Sequence, residues 1–119
     1  MQYILLIYTN EAEVAARPPD VKQAVTNEYV QFMKETQAAG SWLGGDRLSS
    51  VANATCVRVR EGKVLKTDGP FAETREQLAG YVLVDAKNLD EATALAGKIP
   101  GARFGTIEVR PVIGLPATK

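Results

Sequence analysis

Stretches of apolar residues divide the chain into strand-like segments. Apolar side chains are nearly continuous from Gln2 to Tyr8 and from Gly80 to Val84, as is typical of strands buried on both faces. From Thr55 to Arg60 apolar and polar residues alternate, which predicts a strand with two unlike faces. Glu61-Gly62 then indicates a tight turn into a short strand from Lys63 to Lys66. Two further strands are predicted, one beginning at Trp42-Leu43 and one from Thr106 to Val109.

Two helices are predicted from apolar residues that recur at helical spacing. Pro18-Pro19-Asp20 indicates the start of the first, because proline suits a first helical turn and an acidic side chain there complements the helix dipole. Gly40 indicates its end. Asn88, with Glu91 three residues later, resembles a capping box, and the helix that it opens is predicted to stop at Pro100-Gly101. The predicted inward faces are Val21, Val25, Tyr29, Phe32, Met33 and Thr36 in the first helix, and Leu89, Ala92, Leu95, Ala96 and Ile99 in the second.

The order of these elements is β-α-β-β-α-β with an additional hairpin, which predicts a ferredoxin-like α+β fold in one domain over residues 1–119. In this arrangement two helices cover one face of an antiparallel sheet. The strands Tyr3–Tyr8 and Tyr81–Val84 nevertheless carry apolar side chains on both faces, and leaving several of them exposed would forgo roughly 1.5–3 kcal/mol each. We therefore expect a homodimer in which two sheets pack face to face.

Composition and charge narrow the choice of partners. Of the 119 residues, 45% are hydrophobic and 24% are charged, as in an ordinary globular protein. The formal net charge is zero, so we expect no general attraction to nucleic acid or to an anionic membrane. The hairpin is locally basic, but it carries none of the aromatic residues that stack on RNA. Cys56 is the one cysteine, and the apolar run Ile4–Ile7 is too short for a signal or a membrane span, which together predict a cytoplasmic protein.

Histidine is absent from the sequence. Nucleophilic pairs of serine or cysteine with histidine, histidine-ligated zinc and haem with a proximal histidine are therefore excluded. Acid–base chemistry near neutral pH would need a carboxylate with a raised pKa, a lysine or tyrosine with a lowered pKa, or Cys56. We predict no cofactor and no metal ion, because the acidic residues lack the spacing of a recognised metal-binding loop. Gly44-Gly45 lacks phosphate-loop spacing and is more typical of a bulge or a tight bend.

The segment from Thr67 to Gln77 is the first candidate site. Gly69-Pro70 breaks regular structure, and Phe71 is expected to plug the loop into a core. One interpretation is a pocket edge, with Asp68 and Glu73 as acid/base or ligand-orienting carboxylates and Arg75 as an anion clamp. The other is a rigid connection between strands, held by turn hydrogen bonds of Asp68, with Arg75 paired to a carboxylate. The sequence leaves both open.

A second candidate site is formed by the aromatic residues of the first helix and the following strand. Tyr29 and Trp42, with Phe32 and Met33, are positioned to line an apolar ligand cavity between this helix and the sheet. An aromatic stripe at helical spacing is more often ordinary core, which is the alternative interpretation. We expect one of these two roles for Tyr29 and Trp42.

Three segments of the chain resemble a known family. Asp68-Gly69-Pro70-Phe71-Ala72-Glu73-Thr74-Arg75-Glu76-Gln77-Leu78 with Gly80-Tyr81 resembles the signature of YCII-related proteins of the DGPF type. Ala39-Gly40-Ser41-Trp42-Leu43-Gly44-Gly45-Asp46-Arg47-Leu48 and the stretch from Ile99-Pro100 to Pro111-Val112 are similar to the same family. The resemblance implies a ferredoxin-like fold assembled as a dimeric α+β barrel.

The resemblance also implies a range of activities. Some YCII-related proteins carry a His-Asp pair, which this chain cannot have, and at least one relative is a dehydrochlorinase acting on a small aromatic compound. Proteins of the DGPF type are often encoded beside sigma factors, which suggests an accessory or regulatory role. We therefore expect a protein that binds a small molecule in a helix–sheet cleft. The alternative is a lyase- or isomerase-type enzyme with Asp68 or Glu73 as the acid/base.

Overall fold

A computed structural model describes residues 1–116 of the chain. The strands are β1 (Gln2–Thr9), β2 (Trp42–Arg47), β3 (Thr55–Arg60), β4 (Lys63–Asp68), β5 (Gln77–Asp85) and β6 (Thr106–Pro111). The helices are α1 (Glu11–Ala15), α2 (Pro19–Ala38) and α3 (Leu89–Gly97), and Val51–Asn53 and Pro100–Arg103 form short 3-10 turns.

Four strands form one antiparallel sheet in the order β2-β5-β1-β6. Leu5 at the centre of β1 lies opposite Val82 of β5 and Val109 of β6. This order places the two strands that follow the helices at the edges, as in a ferredoxin-like fold. The expected fold class is confirmed. Strands β3 and β4 pair only with each other in a separate hairpin.

The core lies on the face of the sheet that the helices cover. Alternate residues of β1 (Tyr3, Leu5 and Ile7) are buried, as period-2 alternation requires. They pack with Val82 and Val84 of β5 and with a buried side of α3 formed by Ala92, Ala96 and the following Ile99. Full burial of a leucine such as Leu5 is worth about 1.5–3 kcal/mol. The core therefore packs directly on β1 and β5, the two central strands of the sheet.

The predicted start of α3 and the predicted end of α2 agree with the structure, whereas α3 ends at Gly97, before the predicted stop at Pro100-Gly101. Asn88 caps α3, its Oδ1 accepting a hydrogen bond of 3.0 Å from the backbone N–H of Glu91. Gly40 follows α2 with a φ of 78°, a left-handed conformation that favours glycine and closes the helix. One residue predicted to lie on the inward face of α3 does not do so, because Leu89 is 54% exposed. It is the first residue of α3, where the chain has not yet turned onto the core.

Helix α2 touches the core with its C-terminal half only. Its buried residues are Phe32 and Thr36, whereas Val21, predicted to face inward, is 39% exposed. The short helix α1, which the sequence analysis did not predict, begins after Asn10, whose Oδ1 accepts from the N–H of Glu13 at 2.9 Å. A gap therefore opens between α1, the N-terminal half of α2 and the sheet.

The opposite face of the sheet is not covered by the helices. This open face carries Ile4 and Leu6 of β1 and Leu83 of β5, all half-buried, with Glu108 and Arg110 of β6. Apolar side chains thus point out of both sides of β1 and β5, as expected from their sequences.

The β3–β4 hairpin, here called the hairpin arm (residues 55–68), extends away from the main sheet. One face of the hairpin arm carries Val57, Val59 and Val64 together with Lys66. The three valines are all exposed. The radius of gyration of 16.6 Å exceeds the roughly 13.5 Å expected of a compact chain of this length. The expected plug is wrong within one copy of the chain, because Phe71 beyond the arm is 81% exposed. The hydrophobicity of Phe71 favours its burial, but it does not indicate which surface the ring would pack against.

Candidate functional site

The gap beneath α2 is a cavity of about 880 Å³. We call it the helix–sheet cavity. Its roof is α1 and residues 22–33 of α2, its floor is β1, β2 and β5, and Gly101 and Phe104 form the wall at one end, here called the closed end. Most of its wall is apolar, contributed chiefly by Val14, Val25, Phe32, Met33, Trp42 and Phe104. A concave, mainly apolar site of this size is typical of small-molecule pockets.

Glycine on β2 allows the Trp42 indole to lie along the cavity floor. A Cβ on Gly45 would come within 2.8 Å of both the Trp42 ring and the backbone oxygen of Tyr81. The strand also shifts register between Trp42 and Gly44, which confirms the expected bulge. These two features turn Trp42 toward the helices, where it packs against the edge of the core.

The closed end of the cavity gathers one phenol and two guanidinium groups. The Tyr29 hydroxyl lies against Gly101, where an added Cβ would be 2.7 Å away. The Arg17 guanidinium stacks over the Phe104 ring at 4.1 Å, and that of Arg103 lies 5.1 Å from the same ring. Burial raises the pKa of the Tyr29 phenol above 10.0, opposed by a backbone hydrogen bond with Gly101 and by the positive charges of Arg17 and Arg103. Tyr29 is therefore a neutral hydroxyl at physiological pH.

The charged residues that line the cavity differ in whether they have a hydrogen-bond or ion-pair partner within the protein. The carboxylate of Glu11 accepts from the Ser50 hydroxyl and from the backbone N–H of Val51, both at 2.9 Å. The Asp46 carboxylate accepts from the Tyr81 hydroxyl at 2.9 Å, and the register of the strands places both side chains on the open face with Leu6. Within residues 1–116, by contrast, no carboxylate lies within 4.0 Å of the three cationic side chains on the wall. These cations are Arg17, Lys22 and Arg47.

Of the acidic residues that line the cavity, Glu11 already accepts two hydrogen bonds and Asp46 shares the open face with Tyr81, and no cysteine is among the lining residues. No group of three or more Asp, Glu or Cys side chains placed to hold a metal ion occurs between Met1 and Pro116. In the same range no helix is long and apolar enough to cross a membrane.

The structure separates the two candidate sites. Tyr29 and Trp42 line the helix–sheet cavity. Asp68, Phe71, Glu73 and Arg75 do not line it, and all four are exposed. Their role in binding or catalysis therefore stays a prediction.

The signature loop is anchored through its backbone. The backbone oxygen of Arg75 accepts from Asn10 Nδ2 at 2.9 Å, while no ion pair in the described chain uses its guanidinium. The Phe71 ring lies 5.8 Å from the Arg58 guanidinium of the hairpin arm. Cys56 donates its thiol hydrogen to the backbone oxygen of Gly69 at 3.3 Å. The loop is thus tied to β1 and to the arm, and its charged side chains do not converge.

Sequence reasoning missed Arg17 as a cavity residue. The signal lay in Arg17-Pro18, since the residue before a proline is held out of the helical region and the chain must turn there between two helices. Recognising that turn required knowing that α1 exists, and five residues are too few for a periodic pattern.

A smaller depression of about 430 Å³ lies at one end of the open face. It is lined by Tyr8, Glu76, Thr106 and Glu108. The Tyr8 hydroxyl donates to Glu108 at 3.2 Å and the Thr106 hydroxyl donates to Glu76 at 2.9 Å. Burial and the adjacent Glu108 raise the pKa of Tyr8. Its polar groups satisfy one another, so the helix–sheet cavity is the stronger candidate.

Comparison with known proteins gives a family and a fold. A family model described as YCII-related domain matches residues 1–116. An uncharacterized protein of Rhizobium meliloti (strain 1021) is 33% identical over 114 residues, which covers 94% of this chain and 92% of that protein. Among solved structures, the chain is similar to 5-chloro-2-hydroxyhydroquinone dehydrochlorinase (TftG) from Burkholderia phenoliruptrix AC1100 in complex with 2,5-dihydroxybenzoquinone. The TM-score is 0.57 at 10% identity, covering 94% of this chain and 93% of that one, so this likeness shows a shared fold.

Proposed function

This chain belongs to the YCII-related family, and we propose that it is a small-molecule-binding protein of that family with an accessory or regulatory role. The observation that carries the proposal is the apolar cavity of about 880 Å³ beneath α2. Its size falls within the roughly 300–1,000 Å³ of ordinary ligand pockets. The fold also occurs in TftG, whose solved structure is a complex with a six-membered ring compound, 2,5-dihydroxybenzoquinone. A cytoplasmic location is part of the proposal, and the free thiol of Cys56 supports it.

Trp42 provides a direct test, because it is the one tryptophan in the sequence and it lines the cavity. Three naphthalene probes are suitable: 2-naphthoate, neutral 2-naphthalenemethanol and cationic 2-naphthylmethylammonium. If the cavity binds small molecules, at least one probe should change Trp42 fluorescence saturably. The double variant Val14→Phe/Val25→Phe fills the cavity from its roof and should weaken that binding at least tenfold.

Val64→Phe on the hairpin arm is the matched control, since it adds the same ring to an exposed valine outside the cavity. It should leave the titration unchanged. Saturable binding that survives in the filled variant would place the probes elsewhere, and absence of any saturable change would contradict the proposed function.

A second copy of the chain is the partner that we propose. The open face carries the partly exposed side chains Ile4, Leu6 and Leu83, and the arm exposes Val57 and Val59. Burying these apolar surfaces against another protein surface would be favourable. An isolated two-stranded hairpin is only marginally stable in water, which makes contact with another surface favourable for the arm. Sheet-on-sheet packing about a twofold axis covers the open faces of both copies at once.

The lyase- or isomerase-type alternative depends on Asp68 or Glu73. Both carboxylates are exposed and lie outside the cavity of their own copy. A catalytic base must come within hydrogen-bond reach of the proton that it removes. An enzyme of this kind would therefore need the loop of a second copy to reach the cavity, and nothing in a single copy favours that arrangement over binding.

A further inference from the structure

We propose that the ligand of the helix–sheet cavity is an aromatic carboxylate whose anionic group is held at the closed end by Arg17 and the Tyr29 hydroxyl. This inference rests on the proposed function and deepens it by naming the class of ligand. Three features of the cavity support this inference. They are a guanidinium without a carboxylate partner, a neutral hydroxyl at the same end, and aromatic side chains along the rest of the wall.

Arg17 is the central group. Its guanidinium stacks over the Phe104 ring at 4.1 Å, and stacking through the face of a guanidinium leaves the N–H groups in its plane available for hydrogen bonds. No carboxylate of the described chain lies within 4.0 Å of it. Arg103, which approaches the other part of the same ring, is engaged by Glu28 at 2.6 Å. The closed end therefore holds one paired and one free guanidinium, and the free one lines the cavity.

The Tyr29 hydroxyl supplies a second donor at the same end. It lies on the cavity wall against Gly101, and Gly101 belongs to the same short turn as Phe104, whose backbone N–H donates to the Gly101 oxygen at 3.2 Å and whose ring carries the Arg17 guanidinium. A neutral phenol can donate one hydrogen bond to a carboxylate oxygen, while Arg17 donates to the other. Two donors with one positive charge match a carboxylate in number and sign.

The remainder of the cavity suits a flat ring. Phe32, Met33 and Trp42 present aromatic and thioether surface, which packs well against aromatic rings. Lys22 and Arg47 bring the cationic side chains of the wall to three with Arg17, against the one carboxylate of Glu11, because Asp46 shares the open face with Tyr81. The electrostatic balance of the site therefore favours an anion and disfavours a cation of the same shape.

The three naphthalene probes differ in charge while sharing one ring system, so they separate the class of ligand from binding itself. With Trp42 fluorescence as the readout, 2-naphthoate should bind at least tenfold more tightly than 2-naphthalenemethanol, and 2-naphthylmethylammonium should bind most weakly. In Arg17→Gln the preference for 2-naphthoate over the neutral probe should fall to about twofold or less, with the affinity for the neutral probe unchanged. Tyr29→Phe should weaken 2-naphthoate binding about threefold to tenfold.

Arg58→Gln is the matched control, because Arg58 also lies over a phenylalanine ring but on the hairpin arm, outside the cavity. It should retain the wild-type preference. Equal or tighter binding of the neutral or cationic probe overturns the ligand class while leaving small-molecule binding intact. A preference for 2-naphthoate that persists in Arg17→Gln overturns the assignment of Arg17. Binding of none of the probes overturns both the class and the proposed function.

Discussion

At the scale of single residues, two side chains that line the cavity occupy space that neighbouring glycines leave free. Gly45 leaves room for the Trp42 indole, and Gly101 leaves room for the Tyr29 hydroxyl. A methyl group at either position would meet another atom at 2.7–2.8 Å, closer than ordinary van der Waals contact. The shape of the cavity therefore depends on two glycines that have no side chain of their own to contact a ligand.

Tyr29 should make the stability of the protein depend on pH in the alkaline range. Its pKa in the folded chain is raised from 10.0, mainly by burial, so the unfolded chain releases the proton first as pH rises. The folded state then binds more protons than the unfolded state, and the free energy of unfolding falls above about pH 10. Below that pH both states are protonated and Tyr29 contributes no pH dependence.

Urea titrations of the wild type and Tyr29→Phe between pH 9 and 11 measure this effect. The variant should lose less stability over that range, because the other tyrosines are common to both proteins. An identical loss in both proteins would show that Tyr29 ionises as freely when folded as when unfolded.

The polar residues of the signature loop are where sequence reasoning was least informative. The spacing of Asp68, Glu73 and Arg75 permitted either convergence or simple exposure, and the structure shows exposure. Spacing along a loop fixes no direction for its side chains, unlike the period of a strand or helix. Tyr29 and Trp42 lie on regular elements, whose periods do fix a direction, and both line the helix–sheet cavity.

At the scale of elements, the sequence predicted which side of each helix faces the sheet but not how far away the helix lies. Periodicity placed Tyr29 and Phe32 on the inner side of α2, and both contact the core. It gave no sign that the N-terminal half stands away from the sheet, because an apolar stripe is the same for a docked helix and for a cavity roof. The cavity is therefore a property of the packing, not of the pattern.

The signature loop belongs to this scale as well, and Asp68→Asn tests its role. Because Asp68 is exposed and outside the cavity, the substitution should change the free energy of unfolding by no more than about 0.5 kcal/mol. The affinity for 2-naphthoate should also remain that of the wild type, in contrast to Arg17→Gln. Thermal melts and Trp42 titrations measure both quantities.

Each opposite result has a distinct meaning. A large drop in melting temperature would show that Asp68 holds the connection between β4 and β5. Loss of 2-naphthoate binding with normal stability would show that the loop acts on the cavity, as the enzyme alternative requires.

At the scale of the whole molecule, the chain is flat, with extents of 48 by 48 by 19 Å. One side of the sheet is covered by helices, and the hairpin arm projects without packing on the main sheet. The fold class was predictable because strands with two apolar faces and helices with one leave few ways to order them. The exposure of Val57, Val59 and Val64 on the arm was not predicted, since alternation shows which residues share a face but not whether that face is covered.

Sedimentation at micromolar concentration tests the proposed homodimer. The wild type should sediment as a dimer, and Leu6→Lys should sediment as a monomer because it places a charge on the apolar open face. Val21→Lys, which adds the same charge to an exposed valine of α2 on the helix side, should remain a dimer. A wild type that sediments as a monomer would contradict the assembly.

A crystal structure with bound 2-naphthoate tests the helix–sheet cavity most directly. Electron density for the naphthalene ring should lie against Trp42 beneath α2, with its carboxylate at Arg17 and the Tyr29 hydroxyl. Density for the probe on the open face or beside the signature loop, with the cavity holding only water, would contradict the account.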